Sequence, residues 1–341
     1  MNKGYRFLLM GSDKRQKYLY EILCEKGYTA TYMNDEELEE YIRLCEYNRN
    51  MHKEDGMSEE ISAIDGSMQS DINTQFGMVD ESKACDVHSL LKKQNIYYGE
   101  KGTCGYNVLL LPVSSSVIYF NKLKCILNSD EYLFGCNFNC IKEEIENSTY
   151  DEENIDNNSI KKLKFYEYMA DDATAYKNSV ATAEGVIAET IIRSDINING
   201  SNCLITGYGR CAGIIADRFK ALNSNVTIIE RIGHKRAQAR AYGYNAIDFN
   251  SDNSSDYYND FNKYDYVINT VPQMVVDEQM LKHFNRNVTI IDIASRPGGV
   301  DYDYCKKNNI NAVNALGLPG KYSPKTSALI LYEVICDKLS I

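Results

Sequence analysis

The sequence predicts an α/β protein of two domains, each built around a parallel β-sheet. From residue 196 onward, short apolar runs of strand length alternate with segments in which apolar residues recur every three or four positions. Such alternation is typical of a doubly wound parallel sheet. Earlier in the chain, long polar stretches separate the apolar runs. The pattern there is less regular, and it favours a second, flavodoxin-like α/β domain.

The first domain is expected to begin as strand, turn and helix. The turn is Gly11-Ser12-Asp13, and Asp13 is a suitable cap for a helix that starts near Lys14. Residues 35 to about 105 are polar, acidic and rich in Ser, Asn and Met, so a long irregular insertion is predicted there, and residues 143–158 are predicted to be a surface excursion. The runs predicted as strands are 6–10, 28–33 and 108–113.

The second half of the chain contains little inserted sequence. A helix at 182–193 precedes it, and a last helix at 324–339 is predicted to pack back between the domains. The predicted strands are 202–206, 225–229, 264–269, 288–292 and 311–314. The predicted helices lie near 211–222, 235–241, 277–283 and 302–308.

Composition narrows the classes of function. The net charge of −11 and the lack of a basic arm argue against nucleic-acid binding. No apolar run approaches the roughly 20 residues of a membrane helix, and the first ten residues are too short for a signal peptide. Eleven scattered cysteines then suggest buried free thiols in a reducing cytoplasm. Cys136 and Cys140 lack a second pair of matching spacing, so no metal site is predicted.

The turn Gly207-Tyr208-Gly209 carries the clearest chemistry. It follows a strand, opens a helix and lies inside a βαβ unit, which is the context that a dinucleotide-binding glycine motif requires. Gly207 is expected to make the tight turn and Gly209 to let the backbone approach a pyrophosphate. Ala212 takes the small position that packs helix on strand, and the first residues of the helix, Arg210 and Cys211, present its N-terminus to the phosphates.

This turn defines the predicted domain plan. Residues 196–322 are a Rossmann dinucleotide-binding domain, and residues 1–177 are a substrate and catalytic domain with the insertion at about 35–105. Residues 178–195 are an inter-domain helix, and residues 323–341 are the returning helix. The cofactor and substrate are expected in a cleft walled by both domains.

The end of the second Rossmann strand leaves the choice of cofactor open. Glu230 is placed to bind ribose hydroxyls, which favours NAD. Arg231 follows at once and Lys235 lies close behind, and their charges suit the 2′-phosphate of NADP. A solvated helix start explains Lys235 equally well.

Ligands of such sheets bind at the carboxyl ends of the strands. Thr270, Val271 and Pro272 are therefore expected to cover the cofactor riboses, and Ala294 and Ser295 to lie near the nicotinamide.

Arg296 is the main candidate for gripping a substrate carboxylate, because Pro297 and Gly298 fix the backbone of its loop. Arg15 and Lys325 are expected to face the same cleft. Further substrate candidates lie at strand ends of the first domain or where the chain crosses between domains: Ser12, Asp13, Ser115, Ser116, Asn178, Ser179, Thr182 and Glu184. No histidine is placed at a strand end, and this counts against a 2-hydroxy-acid dehydrogenase, which needs a histidine acid or base.

Several motifs in combination resemble the A subunit of dipicolinate synthase, at both ends of the chain and over nearly all of it after residue 163. The stretches 35–105 and 143–158 depart from the family pattern. The motifs are Gly11-Ser12-Asp13-Lys14-Arg15-Gln16, Leu111-Pro112-Val113-Ser114, Asn178-Ser179, Thr182-Ala183-Glu184-Gly185, Gly207-Tyr208-Gly209-Arg210, Asn269-Thr270-Val271-Pro272, Asp292-Ile293-Ala294-Ser295-Arg296-Pro297-Gly298-Gly299, Gly317-Leu318-Pro319-Gly320 and Pro324-Lys325-Thr326.

The resemblance implies a cytoplasmic oxidoreductase in the mother cell of a sporulating bacterium. It implies NADP as cofactor, a (hydroxy)tetrahydro- or dihydrodipicolinate as substrate, pyridine-2,6-dicarboxylate as product and, as partner, the smaller B subunit of dipicolinate synthase. Two substrate carboxylates would need two cationic groups, from Arg15, Arg296 and Lys325, and Asp13 or Glu184 would be the base. The alternatives are an NAD-dependent alanine or 2-hydroxy-acid dehydrogenase and a non-catalytic chain that only binds the dinucleotide within a complex. The sequence is also compatible with a homo-oligomer.

Overall fold

The computed structural model describes residues 4–55, 96–97, 104–127, 131–147, 163–249 and 260–341. The chain forms two compact units. The first comprises Met1–Asp171 together with Ala328–Ile341, and the second comprises Asp172–Ser327. The chain therefore leaves the first unit once and returns to it at its end.

The first unit contains a five-stranded sheet in which every pair of neighbouring strands is parallel. Its order, β2-β1-β3-β4-β5, is the flavodoxin-like order that the sequence predicts. The strands are β1 (Arg6–Met10), β2 (Thr29–Met33), β3 (Val108–Leu110), β4 (Tyr132–Gly135) and β5 (Lys164–Glu167). Within the described ranges, the helices before the chain leaves this unit are α1 (Lys14–Glu25), α2 (Asp35–Asp55), α3 (Ser116–Leu123) and α4 (Phe138–Asn147).

Helix α2 corrects the prediction of an irregular insertion, because residues 35–55 are helical. A capping box starts this helix. The Asn34 side chain accepts from the Glu37 backbone N–H at 3.0 Å, and the Glu37 carboxylate accepts from the Asn34 N–H at 2.8 Å. Leu38, Tyr41 and Cys45 then recur on one buried face. Most of the remaining insertion lies outside the described residues. The predicted excursion at 143–158 begins as the end of α4, and its residues 148–158 also lie outside them.

The second unit contains a six-stranded parallel sheet in the order β11-β10-β9-β6-β7-β8, which is the Rossmann order. The predicted fold class is confirmed, with one correction: the sheet has a sixth strand, Asn245–Ile247, that the sequence did not suggest. Its strands are β6 (Asn202–Thr206), β7 (Asn225–Ile229), β8 (Asn245–Ile247), β9 (Tyr266–Asn269), β10 (Thr289–Asp292) and β11 (Asn311–Asn314). Its helices are α5 (Asp172–Arg193), α6 (Arg210–Ala221), α7 (Gly233–Ala241), the 3₁₀ turn Asp260–Lys263, α8 (Glu278–Leu281), α9 (Tyr302–Lys307) and α10 (Leu318–Tyr322).

Both faces of the second sheet are covered, as the apolar runs of its strands require. Cys203 and Ile205 belong to one hydrophobic core, and Leu204 between them belongs to another. Successive strand residues point to opposite faces, so helices on both sides are needed to bury them. The carboxyl ends of β6, β7, β9 and β10 consequently meet at one edge of the sheet, where ligands of this fold bind.

The last helix, α11 (Pro324–Leu339), completes the first unit. Ala328, Leu331 and Ile335 are buried in the same core as Phe7 and Leu9 of β1. Every cysteine whose side chain the structure describes is a free thiol: Cys24, Cys45, Cys104, Cys125, Cys136, Cys203, Cys211, Cys305 and Cys336. No helix in those ranges combines the length and the hydropathy needed to cross a membrane.

Candidate functional site

The glycine turn after β6 has a geometry that only glycine tolerates at its first position. Gly207 has φ +80° and donates its N–H to Ile229 O at 2.8 Å. A Cβ at this position would lie 2.9 Å from Val271 Cγ2 and 3.0 Å from Thr270 Oγ1. The turn is therefore pressed against the residues that follow β9, and a side chain would push the two apart.

The second glycine of the turn faces open space. Gly209 is the N-cap of α6, and a Cβ built on it would meet nothing within 4 Å. The first backbone N–H groups of α6 have no partner within the helix, and they carry the positive end of the helix dipole. Ala212, fully buried, holds the helix on the sheet. This combination of a tight glycine, an open glycine and a helix N-terminus fits the pyrophosphate of a dinucleotide.

The other residues of this turn are tied to α5. Arg210 is exposed and forms an ion pair with Asp172. Cys211 is half-buried, and its Sγ lies 3.2 Å from Ser179 Oγ.

Glu230, at the end of β7, is buried and turned inward. Its Oε2 accepts from the Tyr208 N–H at 2.9 Å, and its Oε1 accepts from the Ile232 N–H at 2.9 Å. This carboxylate therefore fixes the backbone of the glycine turn. Arg231 is exposed, and its Nη1 makes a long contact of 3.4 Å with Gln273 Oε1.

The two other basic residues near Glu230 differ in their environments. Arg236 is held by the Glu230 carbonyl at 2.8 Å and by the Asp248 carboxylate at 2.7 Å. Lys235 is partly exposed on α7.

Three neighbouring strands each end in a buried polar residue, and these residues form one hydrogen-bonded chain. Thr206, at the end of β6, donates to Asn269 Oδ1 at 2.5 Å, and the Asn269 amide nitrogen donates to Asp292 Oδ1 at 2.7 Å. All three side chains are fully buried. Asn269 and Asp292 are not among the predicted ligands, although a polar residue ending an apolar strand is a signal that the sequence does contain.

The Arg296 loop (residues 295–299) follows β10. Arg296 and Ser295 are exposed, whereas Ala294 and Gly298 are buried. Gly298 has φ +85°, and a Cβ there would lie 3.2 Å from Asp292 Oδ2. The loop thus exposes the Arg296 guanidinium, while its backbone at Gly298 packs closely against the Asp292 carboxylate.

This loop joins the residues that follow β9. The carbonyl of Gly299 accepts from the N–H groups of Val275 and Val276 at 3.1 and 2.9 Å. Thr270 donates its hydroxyl to Thr206 O at 2.7 Å, and Pro272 is exposed. The structure therefore brings together, at one edge of the second sheet, the predicted cofactor loops and the Arg296 loop.

In the first unit, Asp13 and Arg15 form a buried ion pair at the start of α1. Asp13 Oδ2 lies 2.6 Å from Arg15 Nη2, and Asp13 Oδ1 also accepts from the Arg15 backbone N–H at 3.0 Å. Asp13 is thus both the cap of the helix and the counter-ion of Arg15. Ser12, just before it, is exposed.

The loop after β3 lies against this turn. A Cβ on Gly11 would be 2.3 Å from the Tyr119 hydroxyl and 3.0 Å from Pro112. Ser115 is the N-cap residue of α3. Ser116 is buried, donates to Pro112 O at 2.7 Å and accepts from the Cys136 N–H at 2.9 Å. Its hydroxyl therefore holds the ends of β3 and β4 together.

The candidate site residues on α5 differ in how far their side chains are exposed. Ser179 and Thr182 are buried, and their hydroxyls donate to the carbonyls of Ala175 and Asn178, at 2.8 and 3.0 Å. Asn178 is half-buried and Glu184 is exposed. Lys325, at the start of α11, is exposed as well.

Glu189 is a carboxylate of the second unit whose pKa is strongly shifted. Burial raises its pKa, but hydrogen bonds from Lys321, Arg193 and Tyr322 outweigh that effect and lower the pKa to about 2. The Arg193 Nε and the Tyr322 hydroxyl lie 2.7 and 2.8 Å from its oxygens. This cluster joins α5 to α10. Within the ranges that the structure describes, no group of three His, Cys, Asp or Glu side chains is arranged to hold a metal ion.

The chain is similar to known proteins in part of its sequence and in its fold. No family model matches the chain. The A subunit of dipicolinate synthase from Bacillus subtilis (strain 168) is 35% identical over 179 residues, which are 52% of this chain and 59% of that protein. The match thus spans less than two thirds of the curated relative.

Solved structures extend the likeness in fold. The structure of the A subunit of dipicolinate synthase from Bacillus halodurans has a TM-score of 0.63 at 21% identity, covering 100% of this chain and 99% of that one. The corresponding structure from Bacillus subtilis has a TM-score of 0.63 at 22% identity, covering 100% and 97%. A transhydrogenase from Sinorhizobium meliloti has a TM-score of 0.51 at 11% identity, covering 69% and 74%.

The chain thus shares its fold with both dipicolinate synthase A subunits and, over about two thirds of its length, with the transhydrogenase. In sequence over half of its length, and in fold over all of it, the chain resembles the A subunit of dipicolinate synthase, which confirms the resemblance predicted from its motifs.

Proposed function

We propose that this chain oxidises a (hydroxy)tetrahydro- or dihydrodipicolinate to pyridine-2,6-dicarboxylate with NADP, and that it acts with the B subunit of dipicolinate synthase. The observation that carries the proposal is the edge of the second sheet, where an open glycine turn for a dinucleotide lies beside a loop that presents Arg296. The name of the curated relative supplies the substrate class and the partner.

The proposed reaction balances without a further reagent. A hydroxytetrahydrodipicolinate loses water to give a dihydrodipicolinate, and the gain in aromatic character favours the next step. That step removes one hydride and one proton to leave the aromatic pyridine dicarboxylate. The bound nicotinamide would accept the hydride, and a side chain of this protein would accept the proton. Arg296 would bind one substrate carboxylate through its paired N–H groups.

The surroundings of Glu230 support NADP over NAD. A carboxylate that selects NAD must face the ribose hydroxyls, but the oxygens of Glu230 already accept from two backbone N–H groups inside the fold. The exposed guanidinium of Arg231, held by one long contact, is the group suited to a 2′-phosphate.

Replacing Arg231 with Gln tests this choice. The variant should lose about tenfold or more in NADP affinity, because a charge-assisted pair with the phosphate is removed. Its NAD affinity should change little, since NAD has no phosphate at that position. Titration of nicotinamide fluorescence with NADPH and NADH measures both. Wild-type protein that binds NADH more tightly than NADPH would contradict the choice of NADP.

Of the two carboxylates considered as the base, Glu184 is the better proposal. Asp13 is occupied by Arg15 and by the start of α1, whereas Glu184 is exposed on α5. A Glu184→Gln variant should lower kcat by about 100-fold, a usual contribution of general base catalysis, while leaving NADPH affinity unchanged. Near wild-type kcat in this variant would exclude Glu184.

The decisive assay combines the purified chain, NADP and freshly made intermediate of the lysine branch. Appearance of the ultraviolet absorption of pyridine-2,6-dicarboxylate with the chain alone would establish that this chain is catalytic. Product that appears only after the B subunit is added would assign this chain a dinucleotide-binding role. Turnover of alanine or a 2-hydroxy acid with NAD instead would favour the alternative class of dehydrogenase. The proposed site of action is the cytoplasm of the mother cell of a sporulating bacterium.

A further inference from the structure

Asp292 is a buried carboxylate whose four hydrogen-bond donors are all neutral. Its Oδ1 accepts from Asn269 Nδ2 at 2.7 Å and from the Ala294 N–H at 2.9 Å. Its Oδ2 accepts from the Gly299 N–H and from the Tyr302 hydroxyl, both at 3.1 Å. Removing a carboxylate from water is costly unless hydrogen bonds compensate for it. The Asp292 carboxylate is fully buried, and its four hydrogen bonds offset the cost of burial. The same hydrogen bonds fix the positions of the groups that donate them.

Two of those donors are backbone N–H groups on either side of Arg296. The Ala294 N–H precedes the loop and the Gly299 N–H closes it, so one carboxylate holds both. Since Asp292 cannot move out of β10, the backbone that carries Arg296 is fixed to the sheet at two points.

The third donor connects Asp292 to the cofactor side. Asn269 uses its whole amide group: Oδ1 accepts from Thr206 Oγ1 and from the Val271 N–H, and Nδ2 donates to Val271 O as well as to Asp292. Thr206 is followed directly by Gly207, and a Cβ on that glycine would lie 2.9 Å from Val271 Cγ2. The buried chain of Thr206, Asn269 and Asp292 therefore runs under both the glycine turn and the Arg296 loop.

We propose that Asp292 is a positioning residue, which acts through the Arg296 loop and holds Arg296 at a fixed place relative to the dinucleotide turn. This inference rests on the proposed function only for its kinetic consequence. The conformation of the loop is a property of the chain without any ligand.

The test is Asp292→Asn, which preserves volume but turns one acceptor oxygen into a donor. That NH₂ group must then face one of the N–H or O–H donors that now bind Asp292. Amide hydrogen exchange across residues 293–300 should become at least about tenfold faster in the unliganded protein. The matched control is Asp260→Asn, because Asp260 is an exposed residue that pairs with Lys263. It should leave exchange in this segment unchanged.

Kinetics then separate positioning from general damage. In the wild-type background, Asp292→Asn should lower kcat/KM by about 10- to 100-fold, since a displaced loop misplaces the substrate. In an Arg296→Ala background, the same change should cost less than about threefold, because the group through which Asp292 acts is already gone. NADPH affinity should stay within about threefold of wild type in both single variants, since neither substitution alters the glycine turn itself.

Each result decides something. Unchanged amide exchange at residues 293–300 in Asp292→Asn would overturn the proposal. So would a double variant in which the losses of kcat/KM from Asp292→Asn and Arg296→Ala multiply in full. If Asp292→Asn does not fold, Tyr302→Phe replaces it, because that substitution removes a single donor to Asp292. It should change amide exchange and kcat/KM in the same directions but by smaller factors. If the wild-type chain binds no dinucleotide or turns over no substrate, the proposed function fails, and the exchange measurement still decides whether Asp292 positions the loop.

Discussion

Gly299 is the residue at which the Arg296 loop meets the chain after β9. A Cβ there would lie 2.4 Å from Val271 O, 2.5 Å from Gln273 O and 2.6 Å from Asn269 Nδ2. Two of these atoms are backbone carbonyls in a packed loop, so they cannot turn aside as a flexible side chain would. No residue larger than glycine fits this position.

Gly299→Ala should lower the free energy of unfolding by about 1–3 kcal/mol, the usual cost of overpacking. It should also weaken substrate use, because the Arg296 loop must shift. Gly213→Ala is the matched control: a Cβ there would meet nothing within 4 Å, and the position lies inside α6. That variant should gain up to about 1 kcal/mol from helix propensity. Urea unfolding measures both, and a Gly299→Ala protein as stable as wild type would show that the loop can relax.

At the residue level, the sequence predicts residues whose chemistry suits an exposed site. It does not predict buried residues such as Asn269 and Asp292, which hydrogen-bond the loops from inside the fold. The turn at Gly207 and the loop at Arg296 are readable, because glycine, proline and arginine each have a distinct physical role there. The sequence predicts Ser116 and Ser179 as substrate ligands, and in the structure their hydroxyls donate to backbone carbonyls four residues earlier. The sequence does not distinguish such local bonding from ligand binding.

At the level of elements, one carboxylate of α5 binds two side chains of α10. Glu189 accepts hydrogen bonds from Arg193 on its own helix and from Lys321 and Tyr322 on α10. Gly185 lets the two helices approach, since a Cβ there would lie 2.7 Å from Leu318 Cβ. The segment from Gly317 to Tyr322, part of the family-like sequence, is thereby held against α5.

Glu189→Gln should destabilise the protein by about 2 kcal/mol at pH 7, because it removes the negative charge that attracts the Lys321 and Arg193 cations. The pKa of Glu189 is about 2 in the folded protein, below its ordinary value of 4.5. Stabilisation by the charged form is therefore complete above about pH 4.5 and is lost as pH falls towards 2. The difference in unfolding free energy between wild type and variant should shrink over that interval.

Asp217→Asn is a suitable control for this experiment, because Asp217 is an exposed residue of α6 that pairs with Arg218. Surface pairs of this kind contribute little, so the control should stay within about 0.5 kcal/mol of wild type. A Glu189→Gln effect that does not change between pH 5 and pH 2 would mean that charge is not its cause.

The sequence predicts an element well where its apolar pattern is long and prominent, and poorly where that pattern is short or outweighed by polar residues. Strand β8 has only three residues, and its place at the edge of the sheet gives it a weak apolar signal. Helix α2 was missed because its polar face dominates the composition, although the capping pair Asn34 and Glu37 stands in the sequence.

At the scale of the whole molecule, the alternation of strands and helices suffices to predict two parallel sheets, because each crossover must cover a face. The assignment of chain segments to the two units is less readable. The last helix returns to the first unit, where its buried residues share a hydrophobic core with β1 from the other end of the chain. Periodicity shows that such a helix has an apolar face, but not which sheet it covers.

Helix α11 therefore provides a test of how the first unit is completed. Leu331 is 1% exposed and lies in the core that contains Phe7 and Leu9, whereas Leu329, on the same helix, is 45% exposed. Leu331→Ala should lower the free energy of unfolding by roughly 2–5 kcal/mol, because it leaves a cavity, and Leu329→Ala should change it by less than about 0.5 kcal/mol. Urea unfolding gives the two values, and amide exchange in β1 assigns the loss to the first unit. If Leu331→Ala speeds exchange in β6 but not in β1, or costs no more than Leu329→Ala, then α11 does not complete the first unit.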